Sequence, residues 1–327
     1  MARDASFAED RRKLDRLRAL RMQPGAAQEY AVDLLAAGAS EEVLLSALSV
    51  LREHPVRGAH DALVARYREM DANPKRRDPV GGVRTAILAV LRNEMTHDDR
   101  SLALRAVATY EKGLQGPSST GIRAAGLICL AGLDPDLAPF YAAKMLGEAD
   151  DLAVDGEPML TALRVLYSAG QAAAIAVFAL TAPVPNVHGQ RLSEIRGEAI
   201  RLLIDLPDDL AASIAARFMG EDEDDDLVLL GVADLLVKHP GGPNVARELR
   251  ALLQVEGHHE VFQYLAAAIV ASRHDGLLTA LVDQARSDRD RTKVEIAAEA
   301  LRLTTLPEAQ RALPELLERA GQRKDQR

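Results

Sequence analysis

The chain has no tryptophan, one cysteine and few rings: five Phe and six Tyr in 327 residues, or 3% aromatic. Sandwich and barrel cores favour aromatic and β-branched residues, so an interior of Ala, Leu and Val points to closely packed helices. A single sulfur, Cys129, can form neither an intramolecular disulfide nor a thiolate metal cluster. It lies in the apolar run 126–131 and reads as a buried, inert thiol. The first ten residues lack the apolar stretch of a signal peptide, which together with the lone cysteine points to the cytoplasm.

Long hydrophobic runs are also missing. Val165–Val184 carries no charge and has the length of a membrane span, but Ser168-Ala-Gly-Gln171 interrupts it and Pro183 and Pro185 end it. It reads as two short buried helices joined by a tight Ala-Gly turn, so no span is expected. There is no P-loop, Gly-x-Gly-x-x-Gly, Gly-x-Ser-x-Gly or His-Glu-x-x-His motif. The 49 Asp and Glu residues single out no catalytic pair. No catalytic, cofactor-binding or metal-ligating residue is therefore assigned, and no cofactor is expected.

What is present is a repeat. Eight amphipathic segments, 43–51, 83–91, 122–130, 158–166, 195–203, 228–236, 261–269 and 293–301, each carry a small or apolar residue four places before a large aliphatic one. They end on Leu51, Leu91, Leu130, Leu166, Leu203, Leu236, Ile269 and Leu301, at spacings of 40, 39, 36, 37, 33, 33 and 32 residues. Such a period is that of helical repeat arrays. Second amphipathic helices follow at His60–Met70, Leu137–Leu146, Leu210–Met219, Ala246–Leu253, Leu277–Ala285 and Ala309–Leu317, with Pro55, Pro135, Pro207, Pro240 and Pro307 in the breaks. Ser6…Glu9, Thr292…Glu295 and Thr96…Asp99 read as capping boxes. No alternating run is long enough for a sheet.

One helix pair cannot bury both its apolar faces, so pairs must stack. The expectation is an all-α chain: an α-solenoid of about eight helix pairs over residues 39–320, a charged helical cap over 1–38 and a polar tail over 321–327. Val83-Arg84-x-x-Ile87, Ile122-Arg123-x-x-Gly126 and Ile195-Arg196-x-x-Ala199 resemble the Val-Arg-x-x-Ala opening of a HEAT second helix. Asp78-Pro79 and Asp134-Pro135 resemble that family's Asp-Pro turns. The resemblance to HEAT-repeat (HEAT/armadillo-like) proteins implies an architecture and not an activity. It also implies that Arg84, Arg123 and Arg196, seven places before Leu91, Leu130 and Leu203, form an Arg ladder between repeats. A basic stripe for anions is the functional alternative.

His54 and His239 each follow a closing Leu by three places and precede Pro, where a protonated ring would favour the helix end. His258-His259-Glu260 holds one His-Glu pair, against the several from which HEAT-like deoxyhypusine hydroxylases build a di-iron site. HEAT-like DNA glycosylases combine a basic concave surface with aromatic residues, whereas this chain has a net charge of −9. Phosphate contacts dominate nucleic-acid affinity, so nucleic acid is an unfavoured partner.

Charge is unevenly spread: residues 1–115 carry a net +2, 116–240 a net −11, and 241–327 none. The densest acidic run is Glu221–Asp226, and Asp222, Asp224 and Asp225 are the candidate contacts for a partner with a basic surface. A calcium loop is disfavoured because Leu227 stands where the turn needs Gly. The functional expectation is a non-enzymatic scaffold binding a protein partner along its superhelical surface; the alternative is a HEAT-like enzyme or nucleic-acid binder.

Overall fold

The computed structural model describes residues 2–37, 39–56, 58–113, 116–117, 119–148, 156–181, 189–220 and 225–321. Among these the protein is all-α: nineteen α-helices, one 3-10 turn, and a pair of two-residue strands at 112–113 and 116–117. The chain divides into two compact units, Met1–Ala169 and Gly170–Arg327.

The first unit runs α1 (Ala2–Leu20), α2 (Pro24–Ala36), α3 (Glu41–Glu53), α4 (His60–Ala72), α5 (Pro74–Arg77) and α6 (Gly82–Leu91). It continues with a 3-10 turn (His97–Asp99), α7 (Arg100–Val107), α8 (Thr120–Leu133), α9 (Ala138–Leu146) and α10 (Met159–Ser168). Helices α3, α6, α8 and α10 pack each on the next to form one layer. Against it pack α2, α4, α7 and α9.

In the second unit come α11 (Ala172–Thr181), α12 (Gly189–Arg201), α13 (Asp208–Phe218), α14 (Asp226–Lys238) and α15 (Pro243–Gln254). They are followed by α16 (His259–Ser272), α17 (Asp275–Ser287), α18 (Arg291–Arg302) and α19 (Pro307–Gly321). Here α12, α14, α16 and α18 pack in series, as do α13, α15, α17 and α19. No helix among the described residues is long and apolar enough to cross a membrane, and α10 and α11 occupy the uncharged stretch.

The repeat register has a direct physical meaning. Leu51, Leu91, Leu130 and Leu166 lie in the serially packed helices of the first unit, and Leu203, Leu236, Ile269 and Leu301 in or just after those of the second. All eight are no more than 2% exposed. Full burial of a Leu or Ile side chain stabilises by about 1.5–3 kcal/mol, so these positions anchor the interior.

Local signals fared unevenly. Thr96 and Asp99 do form a capping box, with the Thr96 amide 2.8 Å from Asp99. Ser6 does not cap a helix start, because α1 already begins at Ala2. Thr292 is likewise inside α18, whose cap is Asp290; its carboxylate accepts from the Thr292 amide at 2.9 Å. An Asp two places upstream reaches that amide first, as N-cap residues do.

Candidate functional site

Arg84, Arg123 and Arg196 are buried, at 0%, 1% and 7% exposure. Each sits on a serially packed helix, α6, α8 or α12, and reaches toward the C-terminal end of a helix packed against it. Arg84 donates from Nε to Asp78 at 3.0 Å, from Nη2 to Glu111 at 2.6 Å, and from Nη1 to Asp71, near the end of α4, at 3.3 Å. Burial opposes its charge, but the Glu111 and Asp78 bonds outweigh that and raise its pKa. Arg123 donates to Glu148, just past α9, and to the Tyr110 hydroxyl, and stacks 4.2 Å above the Tyr110 ring. Arg196 donates to the Ala179 carbonyl in the last turn of α11 at 2.9 Å and lies 5.0 Å above the Phe218 ring.

Three further cations do the same and escaped the sequence register. Arg66 donates to the Leu35 carbonyl near the end of α2 at 2.7 Å. Lys293, only 2% exposed, donates to Leu253 and Val255 at the end of α15 at 3.2 and 2.5 Å. Arg319 reaches the Ala285, Arg286 and Asp288 carbonyls at the end of α17. The last carbonyls of a helix have no partner within it, and the helix dipole places negative charge there. Lys293 lies eight places before Leu301 where the arginines lie seven, so a search at fixed register passes it by.

A second row crosses the N-terminal ends of the second unit's α14, α16 and α18. Asp225 caps α14, accepting from the Leu227 amide at 2.9 Å and from the Ser193 hydroxyl on α12. Asp226 meets His258 at 2.5 Å, and His259 meets Asp290, the cap of α18, at 2.6 Å. The His259 bond outweighs burial and holds Asp290 below the usual carboxylate range. Of the acidic candidates, then, Asp225 is part of a helix cap, and Asp222 and Asp224 lie outside the described residues.

The histidine pair is thus engaged with aspartates. No group of three or more His, Cys, Asp or Glu residues able to hold a metal ion occurs among the described residues. His239 lies just past the C-terminal end of α14. Its Nδ1 accepts from the Gly241 amide at 3.1 Å while Nε2 faces the Leu206 carbonyl at 2.8 Å. Cys129 is buried, which pushes its thiol pKa up to about 12.

The first unit offers one more feature that sequence spacing cannot show. Ile128 and Ala131 of α8, Pro139 of α9 and Val165 of α10 line a groove of about 280 Å³, with Arg164 and Ser168 at its side. Ile128 is 41% exposed there. The groove suits an apolar side chain, and it comes from three helices more than thirty residues apart at their extremes.

Comparison with family models, with curated proteins and with solved structures gives no match.

Proposed function

We propose that the chain is a HEAT-repeat α-solenoid scaffold, without catalysis of its own, that holds a protein partner on its exposed helical surface. The observation that carries this reading is the buried register: eight equivalent aliphatic anchors, four in each unit, at corresponding places along serially packed helices. That is the packing logic of stacked helix pairs, which create extended binding surfaces and leave their activity to the partner. The aspartates and histidines of the second row support it, because their bonds join neighbouring helices instead of converging on a cleft.

Within the first unit, the groove at Ile128 is the proposed seat for an apolar residue of the partner. A photo-crosslinking residue at position 168, beside the groove, is compared with one at Ala65, an exposed position on α4. A partner taken up from the native lysate should crosslink at 168 and not at 65. Ile128→Asp should abolish the crosslink while leaving helicity intact, since that side chain is already part-exposed. Equal yield from both positions, or a crosslink indifferent to Ile128→Asp, would refute the groove as the docking place.

A further inference from the structure

Between α4 and α7 lies a cleft of about 630 Å³, lined by Tyr67, Arg68, Asp71 and Ala72 on one side and Ser101, Leu102 and Arg105 on the other. Its floor holds an uncommon group. Tyr67 is 1% exposed and its hydroxyl has no hydrogen-bond partner among the described residues. A buried hydroxyl left unpaired is destabilising, because it gives up its bonds to water and gains none in return.

The charges around the cleft are committed in a particular way. Asp71 takes one bond on each carboxylate oxygen, from Arg84 on one and from Arg105 on the other, so its charge is paired. Arg105 meets it through Nε, and the Arg105 side chain is 68% exposed. Arg68 is exposed and makes no hydrogen bond or ion pair among the described residues. The donors left over at the cleft are the Tyr67 and Ser101 hydroxyls and two guanidinium groups. Burial raises the Tyr67 pKa, with nearby Asp71 adding to it, so the phenol keeps its proton and remains a donor.

We propose that the α4–α7 cleft is a binding site for a small oxyanion, a phosphate or carboxylate group held by Arg68 and Arg105 with Tyr67 beneath it. Guanidinium forks match both oxyanions in shape. The inference stands apart from the scaffold reading, because it needs no protein partner. It also runs against the chain's overall charge of −9, which repels anions in general and so makes any measured binding a statement about a local site.

The test uses the full chain with inorganic phosphate and, separately, malonate, followed by isothermal titration and thermal unfolding. At least one should bind and raise Tm; phosphate alone identifies a phosphoryl site, malonate alone a carboxylate site. Arg68→Gln, which breaks no bond in the free protein, should weaken binding about tenfold, the loss expected for one charge-assisted contact. Tyr67→Phe separates a ligand role from a structural one. Removing an orphaned hydroxyl should leave the free protein's Tm unchanged or higher, yet reduce the ligand-induced rise. If neither ion binds at about 10 mM, weaker than the roughly 4 kcal/mol of a millimolar site, the proposal is overturned. Binding that is unchanged in Arg68→Gln overturns it too, since the ion would then sit elsewhere.

Discussion

Arg84 and Asp78 are both 0% exposed, and the Arg84 Nε donates to the Asp78 carboxylate at 3.0 Å. Asp78 also accepts from the Val83 and Arg84 amides at 3.0 Å, so it caps the start of α6 while holding the guanidinium. Arg84→Met should therefore strand a buried carboxylate and cost about 3–5 kcal/mol in chemical denaturation, and a loss under about 1 kcal/mol would show the pair to be dispensable. His60 gives a second prediction at this scale. It bonds Asp61 at 3.0 Å and Asp99 at 2.9 Å, and these bonds raise its pKa above 6.5 despite partial burial. Burial pushes Asp99 upward, but the Thr96 amide and His60 outweigh it and hold Asp99 below 3.8. His60 thus lends stability below pH 6.5 and loses it as pH rises through the raised value; Asp99 lends it above 3.8 and loses it as pH falls through the lowered one. The contact should be strongest between those limits, and Asp99→Asn should move the NMR titration of His60 back toward 6.5. The anchors were legible in the sequence because aliphatic spacing alone marks them. The targets of the cations were not, since spacing says where Lys293 or Arg66 sits and not which helix end it reaches.

At the scale of helices, the proline breaks and the second helices were readable, because ring closure and lost amide donors act locally. The contact between α12 and α14 was not. Gly197 and Gly231 bring the two backbones together: a Cβ on Gly197 would lie 2.5 Å from the Leu227 carbonyl oxygen, and one on Gly231 would meet the Gly197 backbone even more closely. Gly126 does the same for α8 and α7, where a Cβ would stand 2.6 Å from that of Ala106. From sequence these glycines look like helix weak points, since Gly costs about 0.5–1 kcal/mol against Ala in a helix. Packing reverses the sign. Gly197→Ala and Gly231→Ala should each destabilise by about 1–3 kcal/mol as the helices are forced apart. Gly132 lies in α8, and a Cβ added there would meet nothing within 4 Å. There Gly132→Ala should stabilise by about 0.5–1 kcal/mol. Equal responses at Gly197 and Gly132, read by urea midpoints, would mean that the close approach of α12 to α14 has no energetic weight.

Across the whole molecule, the all-helical class followed from few rings, no alternating runs and the recurring aliphatic anchor, all of which survive without knowledge of any contact. The division after Ala169 did not follow, because each repeat looks equally able to stack on its neighbours and nothing in the spacing of 36 or 37 residues on either side marks a boundary. Function is the least legible, because on the proposed scaffold reading specificity lies in which exposed side chains a partner meets. Net charge is the one property of the full chain that acts on a partner at a distance. Residues 116–240 hold a net −11 against −9 for the whole, so a basic partner would be drawn to that third. A test at the acidic run should spare Asp225, whose carboxylate caps α14 and bonds Ser193, so that a change there mixes stability with charge. Asp222→Asn with Asp224→Asn takes the net charge from −9 to −7 and leaves the cap in place. Association with a lysine-rich peptide should slow in that variant, and the salt dependence of the rate should flatten, because steering falls with both charge and ionic strength. The unfolding midpoint should stay put. If the association rate at low ionic strength is the same for both proteins, the run does not steer a basic partner, and the docking role proposed for Asp222 and Asp224 is lost.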